Sequence, residues 1–300
     1  MKKVIAIVVT FNRIELLKRC ILGIRDQSYP VHRIVVIDNA STDGTNEWVV
    51  KEGIKNEPRI DYVRLKENVG GAGGFNAGIA RAIELDGDWL WLMDDDGVPA
   101  KNALEMLLNA QTKSLIRNSL VVSIDDYNTL CFTRKLNGCK VETLSEVKKL
   151  DTDIIEGIAF PFNGTLISST IPKKIGLPLK EMFIWGDEIE YMERAKKNNF
   201  FPVLVSTSIH YHPLDKAKRS PVLGGLAHVS VPESRKRLYI LLRNHSYIWS
   251  RYSLAKLALM ILKYLVYAVT NNDKRVIPIL LSALRDGISA RWGNEAKYLE

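Results

Sequence analysis

Apolar positions come first in short runs and later in long helical stripes. Residues 4–9 (VIAIVV) are an unbroken, largely β-branched run of strand length, followed by the turn-like Thr10-Phe11-Asn12. From 13 to 26 the spacing changes, and Leu16, Leu17, Cys20, Ile21 and Ile24 fall on one helical stripe. The alternation then repeats: 33–37 and 60–65 read as strands, and 45–51 and 76–85 as helices. Residues 89–93 (WLWLM) read as a fourth strand, ending in Asp94-Asp95-Asp96. Strands alternating with helices predict an α/β fold whose mostly parallel sheet is flanked by helices. Ligands of such sheets bind outside the carboxyl ends of the strands. Thr10, Asp38, the glycine-rich run 68–74 and the aspartates 94–96 are therefore expected along one rim.

Beyond residue 120 the pattern loosens. Residues 120–123 and 129–133 predict strands of an antiparallel edge, and 187–198 a polar helix. Residues 201–205 predict a strand leading into Ile209-His210-Tyr211-His212, and from Glu233 only helices are expected. The expected division is a domain over 1–215, in halves of about 1–100 and 101–215, followed by a helical region over 216–300. No internal repeat or low-complexity tract is present.

Charge sharpens that division. Residues 216–300 carry 15 Lys and Arg against 5 Asp and Glu, whereas the rest of the chain is close to balanced, with 27 against 29. A basic tail suits an anionic partner such as phospholipid headgroups, a lipid diphosphate or nucleic acid. It lacks the basic–aromatic pattern of RNA binders, so nucleic acid is not expected. The stretch 254–269 is nearly all apolar but short for a membrane span and interrupted by Lys256 and Lys263. It fits an interfacial helix, a contact between subunits of a homo-oligomer, or a plain helical subdomain. The overall content, 46% hydrophobic and 25% charged, is that of a globular protein. Cys20, Cys131 and Cys139 form no C-x-x-C pair, as expected of reduced thiols in the cytosol. The N-terminus has no small-residue cleavage site and runs into Arg13 and Glu15, so it is expected as a buried strand rather than a signal peptide.

Three adjacent carboxylates at the end of a buried strand repel one another, and a hard divalent cation offsets them. If the segment stays extended, Asp94 and Asp96 share a face and Asp95 points away. A solvated acidic turn is the competing reading. The run 68–74 (NVGGAGG) lets backbone amides approach a phosphate ahead of a helix N-terminus, or it is a structural glycine turn. It lacks GxGxxG order and follows the third strand, which argues against a nicotinamide dehydrogenase. Asp38 can accept from a base or ribose, or cap the next helix. Asp187 and Glu188 open the polar helix, where one acid can serve as a general base if its neighbour raises its pKa. His210 and His212 lie two apart at a strand end, where either is a metal ligand or a packed core residue.

VVTFNR, VVIDNASTDGT, NVGGAGGFNAG, WLMDDDG and FIWGDEIEY occur in this order. Together they resemble the family 2 glycosyltransferases of GT-A fold from residue 4 to about 243, and more loosely to the end. The FIWGDEIEY-to-HYH stretch, RLYILLRNHSY and LRDGISARWG make the likeness greatest to bacterial galactofuranosyl- and rhamnosyltransferases of cell-surface glycans. That resemblance implies that Thr10, with Phe11, Asn12 and Arg13, and Asp38 hold the nucleoside. It implies that Asn68, Gly70, Gly71, Gly73, Gly74 and Asn76 line nucleotide and donor sugar, joined by Asp94 and Asp95. Asp94 and Asp96 match the family's D-x-D element for Mg2+ or Mn2+, and His212 matches a further metal ligand. Glu188 matches the base, Glu standing where the family has Asp, with Asp187 beside it. Trp185, Gly186, Asp187 and His210 would meet the acceptor. The implied reaction is a single inverting displacement from a UDP- or dTDP-sugar onto a lipid-linked or oligosaccharide acceptor, at the inner face of the cytoplasmic membrane. A non-catalytic nucleotide- or glycan-binding protein on the same scaffold is the rival from another class.

Overall fold

A computed structural model describes residues 2–136, 139–157, 162–214 and 219–298. Two compact units make up the chain: Met1–Pro178 with Arg194–Asp215, and Leu179–Glu193 with Lys216–Glu300. Residue 215, the expected boundary, lies outside the described residues, as does the side chain of Cys139.

In the first unit the elements run β1 (Val4–Thr10), α1 (Ile14–Arg25), β2 (Arg33–Asp38), α2 (Thr45–Lys51), β3 (Ile60–Arg64), α3 (Gly70–Glu84) and β4 (Trp89–Asp94). They continue with β5 (Val98–Pro99), α4 (Ala103–Asn109), β6 (Ile116–Ser123), β7 (Thr129–Leu136), β8 (Cys139–Thr143), α5 (Leu144–Lys148) and β9 (Ile154–Glu156). Then come β10 (Asn163–Ser168), α6 (Thr170–Ile175), α7 (Asp187–Lys197), whose first turns belong to the second unit, and β11 (Val203–His212). The sheet order is β3-β2-β1-β4-β10-β6-β11-β5, and the first four strands are parallel. All seven residues of β1 are buried, as befits a parallel strand covered on both faces. β10 then runs antiparallel to β4 and β6.

Val4, Ala6, Val8, Ile34, Val36, Trp91 and Met93 pack on one face against Leu17, Cys20 and Ile24 of α1 and Leu104 and Leu107 of α4. On the other face α3 lies almost in contact with the sheet. A Cβ at Gly78 would stand 2.4 Å from Ile7 Cγ2, and one at Gly74 the same distance from Val9 Cγ1. This corrects the reading of 68–74 as a loop: the helix already begins at Gly70, and its glycines allow that close approach.

Two other expectations change. The pair 120–123 and 129–133 does join antiparallel, Val122 opposite Leu130, but β6 is interior, between β10 and β11, because all eight of its residues are apolar or hydrogen-bonded and buried. The strand at 201–205 and the segment 209–212 are one strand, β11, with a register shift between Val205 and Ile209.

In the second unit the hairpin β12 (Arg219–Val222) and β13 (Ala227–Ser230) precedes α8 (Arg235–Tyr252), α9 (Leu254–Thr270) and α10 (Val276–Ile288). Leu238, Tyr239 and Leu242 of α8 pack with Leu257, Met260 and Tyr264 of α9 and Ile279, Leu280 and Ala283 of α10. The LRDGISARWG stretch has a structural use here. The fully buried Asp286 accepts from Tyr239 Oη at 2.8 Å, and a Cβ at Gly287 would lie 2.4 Å from the carbonyl oxygen of Arg243. Among the described residues, no helix is long and apolar enough to cross a membrane.

Candidate functional site

Strand register builds the rim of the first unit. Thr10 pairs with Asp38 across β1 and β2, and Val9 with Asp94 across β1 and β4, so the three carboxyl ends lie side by side. Asp38 is fully buried. Its Oδ1 accepts the Ser41 amide at 2.8 Å and its Oδ2 the Tyr62 hydroxyl at 2.5 Å, with Arg64 Nε 3.6 Å away. Burial and the Asp38 carboxylate raise the Tyr62 phenol well above its ordinary range. Asp38 does not cap α2, whose N-cap is Gly44 with no side-chain cap bond; Asp43 just before it accepts from the Thr45 amide and hydroxyl. Asn12 and Asp43 then tie the β1 and β2 loops together, accepting from the amides of Thr42 and Ile14. Asn76 donates to the Pro178 carbonyl at 2.7 Å.

The aspartates leave β4 in a turn, so strict alternation does not apply to them. Asp94 ends the strand; Asp95 and Asp96 follow in a turn closed by the Gly97 amide onto the Asp94 carbonyl. One nitrogen, Arg13 Nη1, reaches both Asp95 Oδ1 at 3.1 Å and Asp96 Oδ2 at 2.7 Å. Asp95 is 2% exposed and also accepts from the Thr10 hydroxyl at 2.7 Å. It acts as a strut between β1 and β4. Burial lifts its pKa to about 6 against the lowering influence of Thr10 and Arg13.

Asp96 faces β11. His212 Nε2 lies 3.1 Å from its Oδ1, and His212 Nδ1 lies 2.6 Å from the Pro213 carbonyl. Burial opposes charge on His212, but the bonds to Asp96, Cys131 and Pro213 prevail and push it up to about 10. Burial likewise opposes charge on Asp96, and His212 and Arg13 hold its pKa below the ordinary carboxylate value. Among the described residues no three Asp, Glu, His or Cys side chains converge as a ready-made cage. What is present is a carboxylate and an imidazolium turned towards one another; a divalent cation that displaced the His212 proton would find both as ligands and share its remaining positions with phosphate oxygens.

His210, expected to meet an acceptor, has no exposed surface. Its ring lies between Gly97 and Gly164, where Cβ atoms would stand 2.1 Å and 2.9 Å away, and neither nitrogen has a partner among the described residues. Burial and the neighbouring His212 push its pKa down to about 3, so the ring is neutral.

The second unit presents the acid pair on a constrained turn. Phe183 and Trp185 have φ of 65° and 62°, and Gly186 of 97°, ahead of Asp187 and Glu188 at the start of α7. Such angles on aromatic residues persist only when the surroundings enforce them. Asn244 of α8 does so: its Nδ2 donates to the carbonyls of Met182, Ile184 and Trp185 at 2.9, 3.0 and 2.7 Å. Arg243, fully buried, donates to Glu181 and Met182 carbonyls and pairs with Glu295 at 2.8 Å. Asp187 is buried, Glu188 Oε2 accepts the Gly186 amide at 3.2 Å, and Glu190 accepts from Tyr252 Oη. The sequence assigns no role to Arg243 or Asn244 beyond their place in the RLYILLRNHSY motif, as a charged-amide pair inside an apolar run.

The Glycosyl transferase family 2 profile matches residues 5–138. The galactofuranosyltransferase GlfT1 of Mycolicibacterium smegmatis is 32% identical over 262 residues, covering 85% of each chain. The chain belongs to glycosyl transferase family 2. The GlfT1 of Mycobacterium tuberculosis is 30% identical over 261 residues, again with 85% of both chains. A crystal structure of GalNAc-T7 with UDP, GalNAc and Mn2+ superposes with TM-score 0.60 at 17% identity, over 84% of this chain and about half (49%) of that one, which shows a shared GT-A fold. In this family 2 chain the matched segment holds β1 to β4, with Thr10, Asp38 and the three aspartates, while the acid pair and His212 lie beyond it.

Proposed function

We propose that this chain is an inverting, metal-dependent galactofuranosyltransferase that uses UDP-galactofuranose and acts on a lipid-linked cell-surface polysaccharide from the cytoplasmic face of the membrane. The likeness to galactofuranosyltransferases over 85% of both chains carries the reading of the donor. The facing Asp96 carboxylate and His212 imidazole support the reading of the metal. Asp96 and His212, with Asp94, would hold Mg2+ or Mn2+, and the imidazole favours Mn2+. When bound, the ion would stabilise charge growing on the leaving nucleoside diphosphate. Arg13, half exposed, offers its remaining donors to the same diphosphate. Thr10 and Asp38 border the nucleoside at the strand ends, and Asp95 keeps the turn in place.

Glu188 takes the proton from the acceptor hydroxyl as that oxygen attacks the anomeric carbon, so one displacement inverts configuration. Asp187 and Trp185 orient the acceptor. The basic C-terminal unit supports placement at an anionic membrane surface. The test is donor hydrolysis without acceptor, comparing UDP-galactofuranose with dTDP-rhamnose, with Mn2+ or with chelator. Metal-dependent release of UDP is the expected result. Preference for dTDP-rhamnose would move the donor assignment to rhamnose, and no turnover of either would sink the reading.

A further inference from the structure

The C-terminal unit carries a cavity of about 390 Å³ between the β12–β13 hairpin, α8 and α9. Arg219, Lys256 and Lys263 line it together with Trp249, Leu259 and Tyr264. Among the described residues no acid lines it, and none of the three cations meets a carboxylate. Lys256 instead rests on the Trp249 ring, 4.4 Å from its centre. His245, which also lines the cavity, is held neutral by burial and by the charge on Lys263, with its pKa pushed down to about 4.

Beside the cavity, α9 is apolar on two sides. Leu257, Met260, Tyr264 and Ala268 face the core. Leu254, Leu259, Leu262, Leu265 and Val269 recur at helical spacing on the outside and are 38% to 74% exposed. Lys256 and Lys263, seven residues apart, flank that stripe on the side of the cavity. Apolar residues edged by lysines on one helix are the pattern of a helix lying in a membrane interface. A second copy of the chain is a poorer occupant: α9 contains no acid, and the one acid of α10, Asp286, is fully buried.

We infer that this unit docks on an anionic phospholipid surface. The cavity framed by Arg219, Lys256 and Lys263 takes a headgroup phosphate, and the outer stripe of α9 enters the interface beside it. This rests on the membrane placement proposed above and supplies its contact residues.

The test is sedimentation of the full chain with phosphatidylcholine vesicles, with and without phosphatidylglycerol. Binding is expected only with the anionic lipid and should weaken as salt rises. Each lysine near such a surface is worth roughly a fivefold factor, so Lys256→Glu with Lys263→Glu should lower affinity on the order of thirtyfold or more. Leu262→Asp should weaken binding with both lysines intact. Donor hydrolysis should stay at the wild-type rate in these variants, so loss of docking and loss of transfer are read separately. Equal binding to neutral vesicles, or none to anionic vesicles at low salt, would overturn the inference. So would a lipid-free dimer that Leu262→Asp dissociates.

Discussion

Asn244 Nδ2 donates to the carbonyl of Trp185 at 2.7 Å, one of three carbonyls of the same turn that it holds. The turn carries two aromatic residues in left-handed backbone conformation and leads into Asp187 and Glu188. Without those bonds its geometry has little to sustain it. Asn244→Ala removes the side-chain donor to the part-buried carbonyls of Ile184 and Trp185, at about 1–3 kcal/mol each, while Met182 keeps Arg243. Turnover should fall well below wild type while UDP and Mn2+ affinity stay unchanged, as measured by calorimetric titration beside steady-state kinetics. Equal losses in donor affinity and turnover would show general unfolding instead of a displaced acid pair.

Glu188→Gln preserves size but cannot take a proton. General-base catalysis is worth ~10²–10⁴-fold, so transfer should drop by that order with donor binding retained. Asp187→Asn should act more on acceptor affinity than on the chemical step. If the two phenotypes exchange, Asp187 is the base; near-normal rates in both would move the base elsewhere.

Metal dependence should track the Asp96–His212 pair. Asp96→Ala is expected to abolish metal-dependent donor hydrolysis, and so is chelation of the wild-type protein. His212→Ala should raise the Mn2+ concentration needed for half-maximal rate by at least about tenfold, within the range seen when a metal's supporting groups are removed. Full activity of Asp96→Ala, or of wild type in excess chelator, would end the metal assignment.

Gly97 adjoins the aspartate turn, and His210 fills the space its side chain would occupy. A Cβ there would lie 2.1 Å from His210 Nε2, closer than any packed contact allows. Gly97→Ala should destabilise the first unit by roughly 1–3 kcal/mol, the usual cost of overpacking, and should weaken Mn2+ binding by shifting the turn. His210→Ala in the same chain should restore part of both. Independent, additive effects in the double-mutant cycle would rule out that contact.

The first four strands of the sheet were legible because their signals are local. A β-branched run with no polar residue is buried on both faces, and the change from contiguous to helical spacing marks each crossover, so β1 to β4 and their polar ends follow directly from residues 4–96. The five ordered motifs identified the family, and the kinship with galactofuranosyltransferases was readable in FIWGDEIEY and RLYILLRNHSY. The glycine-rich run misled, since glycine marks either a loop or a close helix–sheet contact, and only the approach of Val9 and Ile7 to α3 chooses the second.

Composition and hydrophobic period are properties of neighbours along the chain, and they determined the α/β architecture, the basic helical tail and the candidate acids. Pairings between distant residues carry no periodic trace, and only the tertiary structure decided them. Asp95 as a strut on Thr10, Asp96 against His212, and His210 enclosed by two glycines all depend on strands far apart in sequence meeting in one sheet. The same holds for Arg243 and Asn244, whose donors find their acceptors some sixty residues earlier, in a turn the chain makes before α8 is reached. Buried polar groups must be satisfied, but which distant carbonyl satisfies them depends on how the helices pack, and that packing is settled by the whole core at once.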